Sequence, residues 1–296
     1  MRSLRPSSRR RRIAAAALSL SLLWAASSAA QAAEGDARPS RIVSINMCTD
    51  ELLLRLAARD RIAFVTWLSQ DGRNANMAGL AAEFPANHGL AEEVASYHPD
   101  LVLAGVYTIR TTVQLLKAIG IKVVEFGVPK TLDGVRQQIR DVAAAIGERA
   151  QGEALVTDFD ARLAQISAHA HNPPLNAIVL RPNGFTVGKG SLVNELLERA
   201  GLANLATRLG IDNYLQIPLE AVALQQADVL ILNGESNGAP SLATEALHHP
   251  IVAKLGKRLK LVSMPSRLWT CAGPAVLDAV QRLIDETNPS VVGARP

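Results

Sequence analysis

The feature that most constrains this chain is an alternation of short apolar segments with helical ones that breaks off once, for about forty residues without a proline, and then resumes. The first run predicts strands at 41–45, 62–65, 101–104 and 123–126, with helices at 49–58, 91–96 and 111–119. A polar stretch at 69–89, carrying Asn and Gly, separates the second strand from the second helix. Short apolar strands alternating with helices imply a mostly parallel sheet covered on both faces. From Leu132 to His171 the strand signal disappears. Val135, Ile139, Val142 and Ile146, then Leu155, Phe159, Leu163 and Ile166, follow helical spacing, with Gly147 and Gly152 as possible interruptions. Asn172, Pro173 and Pro174 end the span. Alternation restarts with strands at 177–180, 229–232 and 259–262 and helices at 192–200, from about 242, and at 274–286, where Pro274 suits a first helical turn. The expectation is an α/β chain of two Rossmann-like lobes, 33–131 and 172–296, joined by a long rigid connecting helix at 132–171, with a ligand cleft between the lobes.

A faint internal repeat supports two related lobes. Glu92 opens a short helix, Asp100 follows eight residues later, and the strand Leu101-Val102-Leu103 comes next. Glu220, Asp228 and Val229-Leu230-Ile231 repeat the order. A glutamate near a helix N-terminus is favoured by the helix dipole. The dipole does not explain why both lobes carry it, whereas docking onto a symmetric partner does.

Four consecutive arginines, Arg9 to Arg12, precede an apolar run at 13–26 and small residues ending at Ala32. That order predicts a cleavable signal peptide at 1–32. The run is shorter than the roughly 20 residues that span a bilayer, and no cysteine follows it to carry a lipid. Sec and twin-arginine export both remain open. The full chain carries 31 basic and 27 acidic side chains; without the leader's six arginines the net charge falls to about −2. The basic balance thus belongs to targeting, and nucleic acid is not an expected partner. Cys48 and Cys271 are the only cysteines. Export permits a disulfide between them; free thiols and ligand-lining side chains are the alternatives.

Several stretches, in this order, resemble the periplasmic substrate-binding proteins of bacterial ABC importers, in the class whose lobes are joined by one long helix and which bind iron-siderophores, haem or cobalamin. They are Arg41-Ile42-Val43-Ser44 with Cys48-Thr49-Asp50-Glu51-Leu52-Leu53, Ala91-Glu92-Glu93-Val94 through Pro99-Asp100-Leu101-Val102, and Leu115 to Ile121. They continue with Phe185 to Leu197, Leu219-Glu220 through Ala227-Asp228-Val229, and Gly273-Pro274. The resemblance spans about 40–286. It implies that Glu92 and Glu220 engage arginines of the membrane permease, with Glu93 as the alternative in the first lobe. Ala227 stands where the family often has proline, a departure that leaves the glutamate in place.

Ligands of open parallel sheets lie beyond the carboxyl ends of the strands. That rule selects Asn46, Met47 and Cys48 after the first strand, Trp67 after the second and Tyr107 after the third; in the second lobe it selects Arg181, Asn183, Glu235, Arg267, Trp269 and Cys271. Trp67 and Trp269 would be flat apolar walls for a macrocycle or chelate, with lobe core as the alternative for each. Tyr107 could stack, hydrogen-bond or ligate iron. Arg181 and Arg267 suit carboxylates or an anionic chelate. His88, in the loop before Glu92, joins the ligand candidates. The pairs His169/His171 and His248/His249 lack the three- or four-residue spacing of a helical metal site. Gly184 to Ser191 departs from a phosphate loop because Gly190 separates Lys189 from Ser191, and no nucleophile elbow is present. The expected function is capture of an iron-siderophore or cobalamin-like corrinoid, with haem as the alternative, and delivery to an importer permease. The protein is expected to be a periplasmic monomer with no cofactor of its own, the cargo carrying iron or cobalt; a secreted α/β enzyme or a ligand sensor is the rival of another class.

Overall fold

A computed structural model describes residues 38–234 and 241–288. The expected signal peptide and Glu235 lie outside the described residues. The first lobe holds strands β1 (Ile42–Ser44), β2 (Ile62–Thr66), β3 (Ala86–Asn87), β4 (Leu101–Gly105) and β5 (Val123–Phe126), with helices α1 (Met47–Leu56), α2 (Ala78–Ala81), α3 (Ala91–Ser96) and α4 (Arg110–Ala118). All pairings in its sheet, ordered β3-β2-β1-β4-β5, are parallel. Side chains alternate along these strands. Ile42, Val65, Leu101 and Leu103 enter one core, while Val43, Ile45, Phe64 and Val102 enter another, as expected of a strand buried on both faces.

Helices α5 (Leu132–Ala145) and α6 (Arg149–Ser167) follow. The expected connecting span is therefore helical, but as a hairpin rather than one rod. Gly147 makes the break, with φ of 76°, a left-handed conformation that suits glycine. Arg61, at the foot of β2, donates to the Ile146 carbonyl and pairs with the buried Glu148, pinning the corner. Gly152 does not interrupt its helix. It lets the two arms touch, since a Cβ there would lie 2.4 Å from the Cβ of Ala143. Arg140 to Glu153, at 2.8 Å, and Arg136 to Asp160, at 2.6 Å, continue the antiparallel register along the hairpin. The second arm, α6, leads to the second lobe.

That lobe holds β6 (Leu175–Leu180), β7 (Phe185–Val187), β8 (Leu202–Asn204), β9 (Tyr214–Gln216), β10 (Val229–Asn233) and β11 (Lys260–Met264). Its helices are α7 (Leu192–Arg199), α8 (Leu205–Arg208), α9 (Leu219–Leu224), α10 (Glu245–His248), α11 (Pro250–Leu255), α12 (Arg267–Thr270) and α13 (Val276–Thr287). Pro274 thus stands in the turn before the last helix rather than inside its first turn. The main sheet, β11-β10-β6-β8, is parallel, and β7 pairs antiparallel with β9. The order β8-β6-β10-β11 matches β2-β1-β4-β5 of the first lobe strand for strand, so α9 and β10 stand where α3 and β4 stand.

This correspondence explains the repeated aspartate. The carboxylate of Asp100 accepts from the backbone N–H of Arg41, at 3.0 Å, beside β1. That of Asp228 accepts from Asn176 N–H, at 2.7 Å, in β6. Each clamps the start of the neighbouring central strand, and a carboxylate accepting backbone N–H bonds is a strong, charge-assisted contact. Partial burial works against the charge of Asp100, yet the Ser40 and Arg41 donors hold its carboxyl below the usual range. Inner residues of both sheets, with α1, α5, α6, α7 and α13, share one continuous apolar core.

Candidate ligand-binding cleft

Beyond the carboxyl ends of the strands lies a cavity of about 270 Å³ walled by both lobes. The first lobe supplies Tyr107, after β4, and Val128 to Lys130, after β5. The second supplies Gly190 to Val193 at the start of α7, Asn213 and Tyr214 at the start of β9, and Trp269, Thr270 and Ala272 around the end of α12. Tyr107 is 86% exposed and Tyr214 57% exposed, so each lobe presents a phenol ring that its own core does not use. The guanidinium of Arg181 lies 5.4 Å from the centroid of the Tyr214 ring, a cation–π contact that supports that wall. Lys130 is the one charged side chain among the described lining residues. The lining is therefore aromatic and small, with a single positive charge.

Of the residues predicted for the site, Tyr107 and Trp269 reach this wall. Trp269, however, is core: it is 5% exposed and donates its indole N–H to the side-chain Oδ1 of the buried Asn233. Asn46 caps α1, accepting from Cys48 N–H at 3.0 Å, and Met47 follows it as the first residue of that helix. Asn183 takes a left-handed turn conformation, φ 59°, and its carbonyl accepts from Gln216. Arg267 donates to the side chain of Asn76 at 3.0 Å, and Asn76 returns a bond to the Arg267 carbonyl at 2.8 Å, which ties the lobes together.

Cys48 and Cys271 are bonded to each other. One lies in the first turn of α1 and the other directly follows α12, so the disulfide is a covalent tie between lobes beside the Asn76 and Arg267 contact. Their role is thus a bridge rather than free thiols lining the cleft.

Trp67 and His88 meet at the outer end of the first sheet's carboxyl edge. Their rings are stacked with centroids 6.3 Å apart. Glu93 accepts from the His88 backbone N–H at 2.8 Å and lies 3.4 Å from its Nδ1. Trp67 is half exposed and begins a 3-10 turn, Trp67–Gln70. Sequence reasoning missed Tyr214, Asn213 and Lys130. The scarcity of aromatics was a usable signal for Tyr214, but the β7–β9 ribbon that presents it has an exposed second strand without apolar alternation.

Glu92 and Glu220 occupy the first turns of the equivalent helices α3 and α9, both exposed. No hydrogen bond or ion pair among the described residues engages either carboxylate. Glu93, by contrast, is committed to His88.

Residues 42–257 match the family described as Periplasmic binding protein. The chain belongs to the periplasmic binding protein family. Among curated relatives of this periplasmic binding protein is the "Cobalamin-binding protein" of Halobacterium salinarum, 25% identical over 202 residues that make up 66% of this chain and 54% of the relative. The chain thus spans about half the length of the curated relatives it matches. Among solved structures, a possible iron-binding (periplasmic solute-binding) protein from Staphylococcus epidermidis matches with a TM-score of 0.70 at 18% identity, over 84% of this chain and 98% of that one. The periplasmic heme binding protein HutB of Vibrio cholerae matches with a TM-score of 0.70 at 20% identity, over 84% and 99%. These structural likenesses establish the fold this binding protein shares with them. Among its described residues no helix is long and apolar enough to cross a membrane.

Proposed function

We propose that this chain is exported by its leader, captures a bulky metal chelate in the interlobe cleft, and hands it to the permease of an ABC importer. The observation that carries the reading is the pair of outward-turned phenol rings, Tyr107 and Tyr214, one from each lobe on a single cavity wall. Flat amphipathic rings supply contact area and a hydrogen-bonding tip to a planar or ring-shaped ligand, and Lys130 favours a ligand with peripheral carboxylates or another anionic group. An iron-siderophore or a cobalamin-like corrinoid fits this lining best. Haem is the second reading, favoured by the phenol of Tyr107 as an oxygen donor to iron. Binding of this kind needs no bond to be made or broken in the ligand, so the chain acts as a carrier rather than an enzyme.

Delivery rests on Glu92 and Glu220. Two exposed, unengaged carboxylates at equivalent places in the two lobes suit a two-fold permease surface carrying arginines, the residue suited to bidentate carboxylate contact.

Absorbance titrations of the mature protein with a ferric hydroxamate, cyanocobalamin and haemin test the reading. One of the three is expected to saturate at one equivalent, and Tyr107→Ala should weaken it about tenfold or more, a loss of about 1.4 kcal/mol or more. Glu92→Arg with Glu220→Arg should leave that affinity unchanged and abolish uptake by the whole cell. Unchanged affinity in Tyr107→Ala, or normal uptake in the double reversal, contradicts the corresponding half of the proposal.

A further inference from the structure

The carboxylate of Asp50 lies entirely inside the first lobe, on α1, with no exposed area. Its Oδ2 accepts from the Thr66 backbone N–H at 2.9 Å, from the Thr66 hydroxyl and from the Ser69 hydroxyl. Those donors bracket Trp67: Thr66 ends β2, and Ser69 belongs to the 3-10 turn that Trp67 opens. A single buried oxygen therefore fixes both ends of the segment that turns the indole outward. We propose that Asp50 is a positioning residue, holding Trp67 outward through the Thr66 and Ser69 donors, on the same carboxyl edge of the sheet from which Tyr107 projects, against a ligand that extends beyond the cavity between Tyr107 and Tyr214. This extends the chelate-binding reading and rests on it for the ligand.

The chemistry is specific to the charged carboxylate. All three geometric contacts are donated to one oxygen, and a carboxylate is an acceptor with two lone pairs on each oxygen. Oδ1 is buried with no hydrogen-bond partner among the described residues, so a proton taken up there leaves Oδ2 an acceptor but removes the charge that strengthens its three bonds. Burial pushes the Asp50 carboxyl up to about 6, against the pull of the Ser44, Ser69 and Thr66 hydroxyls and the Thr66 N–H. The grip is therefore charge-assisted above that pH and weaker below it.

No other ionisable group faces Asp50 from β1, β2 or β4, whose residues are apolar or carry hydroxyls. On its own helix Glu51 pairs with Arg55 at 3.0 Å. On α5, which packs on α1, Arg136 and Arg140 are engaged by Asp133, Asp160 and Glu153, and Asp141 by Gln137. The other titratable neighbours of the segment are Asp71, which caps the turn after Gln70 and is held below the usual carboxylate range by Arg73 at 2.7 Å, and His88, stacked on Trp67 itself, with Glu93 behind it.

The test uses mature protein labelled with 5-fluorotryptophan. Outside the leader the chain has two tryptophans, Trp67 and Trp269, and Trp67→Phe assigns their fluorine resonances. In ligand-free wild type the Trp67 resonance should move in one step centred at about 6. The step should persist in His88→Gln and vanish in Asp50→Asn. In Ser69→Ala, which removes one donor and leaves the carboxylate in place, its midpoint should rise by about half a pH unit or more. For the ferric hydroxamate, cyanocobalamin or haemin, whichever binds, the dissociation rate should rise about threefold or more as pH falls through the same midpoint in wild type, and stay flat in Asp50→Asn. A step that survives in Asp50→Asn, disappears in His88→Gln or keeps its midpoint in Ser69→Ala overturns the proposal. If none of the three binds, the chelate reading fails, while the ligand-free resonance still decides whether Asp50 positions Trp67.

Discussion

Burying Asp50 makes the folded chain less stable at neutral pH than it would be with an unperturbed carboxyl. Its folded pKa of about 6 stands above the ordinary 3.8, so between these values the folded chain holds a proton that the unfolded chain has released. Stability from this group therefore falls as pH rises through that window, and the whole cost is present above about 6. Two pKa units correspond to on the order of 3 kcal/mol. Urea unfolding should thus show Asp50→Asn gaining stability relative to wild type between pH 4 and pH 7.5, by an amount on that order; parallel profiles contradict it. The same residue scale shows what sequence could and could not reveal. Trp67 and Trp269 carried the same signal, a tryptophan in a segment after a strand, yet one is half exposed and the other buried. The difference lies in a partner remote in sequence: Asn233, at the end of β10, accepts the Trp269 indole N–H. Nothing local to either tryptophan encodes that contact.

At the scale of elements, the central parallel strands were legible where they are buried on both faces and read as an unbroken apolar run, as in Leu101-Val102-Leu103-Ala104; the two- and three-residue edge strands β3 and β8, each ending in Asn, are too short to show such a run. The β7–β9 ribbon was not, because Tyr214, Leu215 and Gln216 are all exposed and carry no alternation. The connecting span was legible as helix but not as hairpin. Gly147 and Gly152 look alike in sequence, yet one supplies a left-handed φ and the other a missing side chain at the crossing of α5 and α6. Gly152→Val should therefore drive a methyl group into Ala143 and cost about 1–3 kcal/mol, read as a lower urea midpoint. Adding Ala143→Gly should restore part of the loss, because the clash is between those two positions. A Gly152→Val protein as stable as wild type would show that the arms do not pack as described.

Across the whole molecule, two lobes with matching strand order share one core, and the Cys48–Cys271 bond ties residues 223 positions apart in sequence. A cross-link over so long a loop restricts the unfolded chain, and its removal should cost about 2–5 kcal/mol. Cys48→Ser with Cys271→Ser is expected to lower the Tm by an amount consistent with that loss, and to leave wild-type stability unaffected only if the bond does not form. The tie lies beside the Asn76 and Arg267 contact, whereas Tyr107 and Tyr214 line the cavity. The disulfide thus adds a covalent restraint between the lobes to the shared core and the α5–α6 hairpin. The central claim, capture of a metal chelate in that cleft, is tested most directly by native mass spectrometry of the mature protein taken from its own periplasm, with its absorption spectrum. The account predicts one added mass per chain, matching an iron chelate, a corrinoid or haem, either retained or taken up on addition of the compound. Folded protein that neither retains nor takes up any of the three contradicts it.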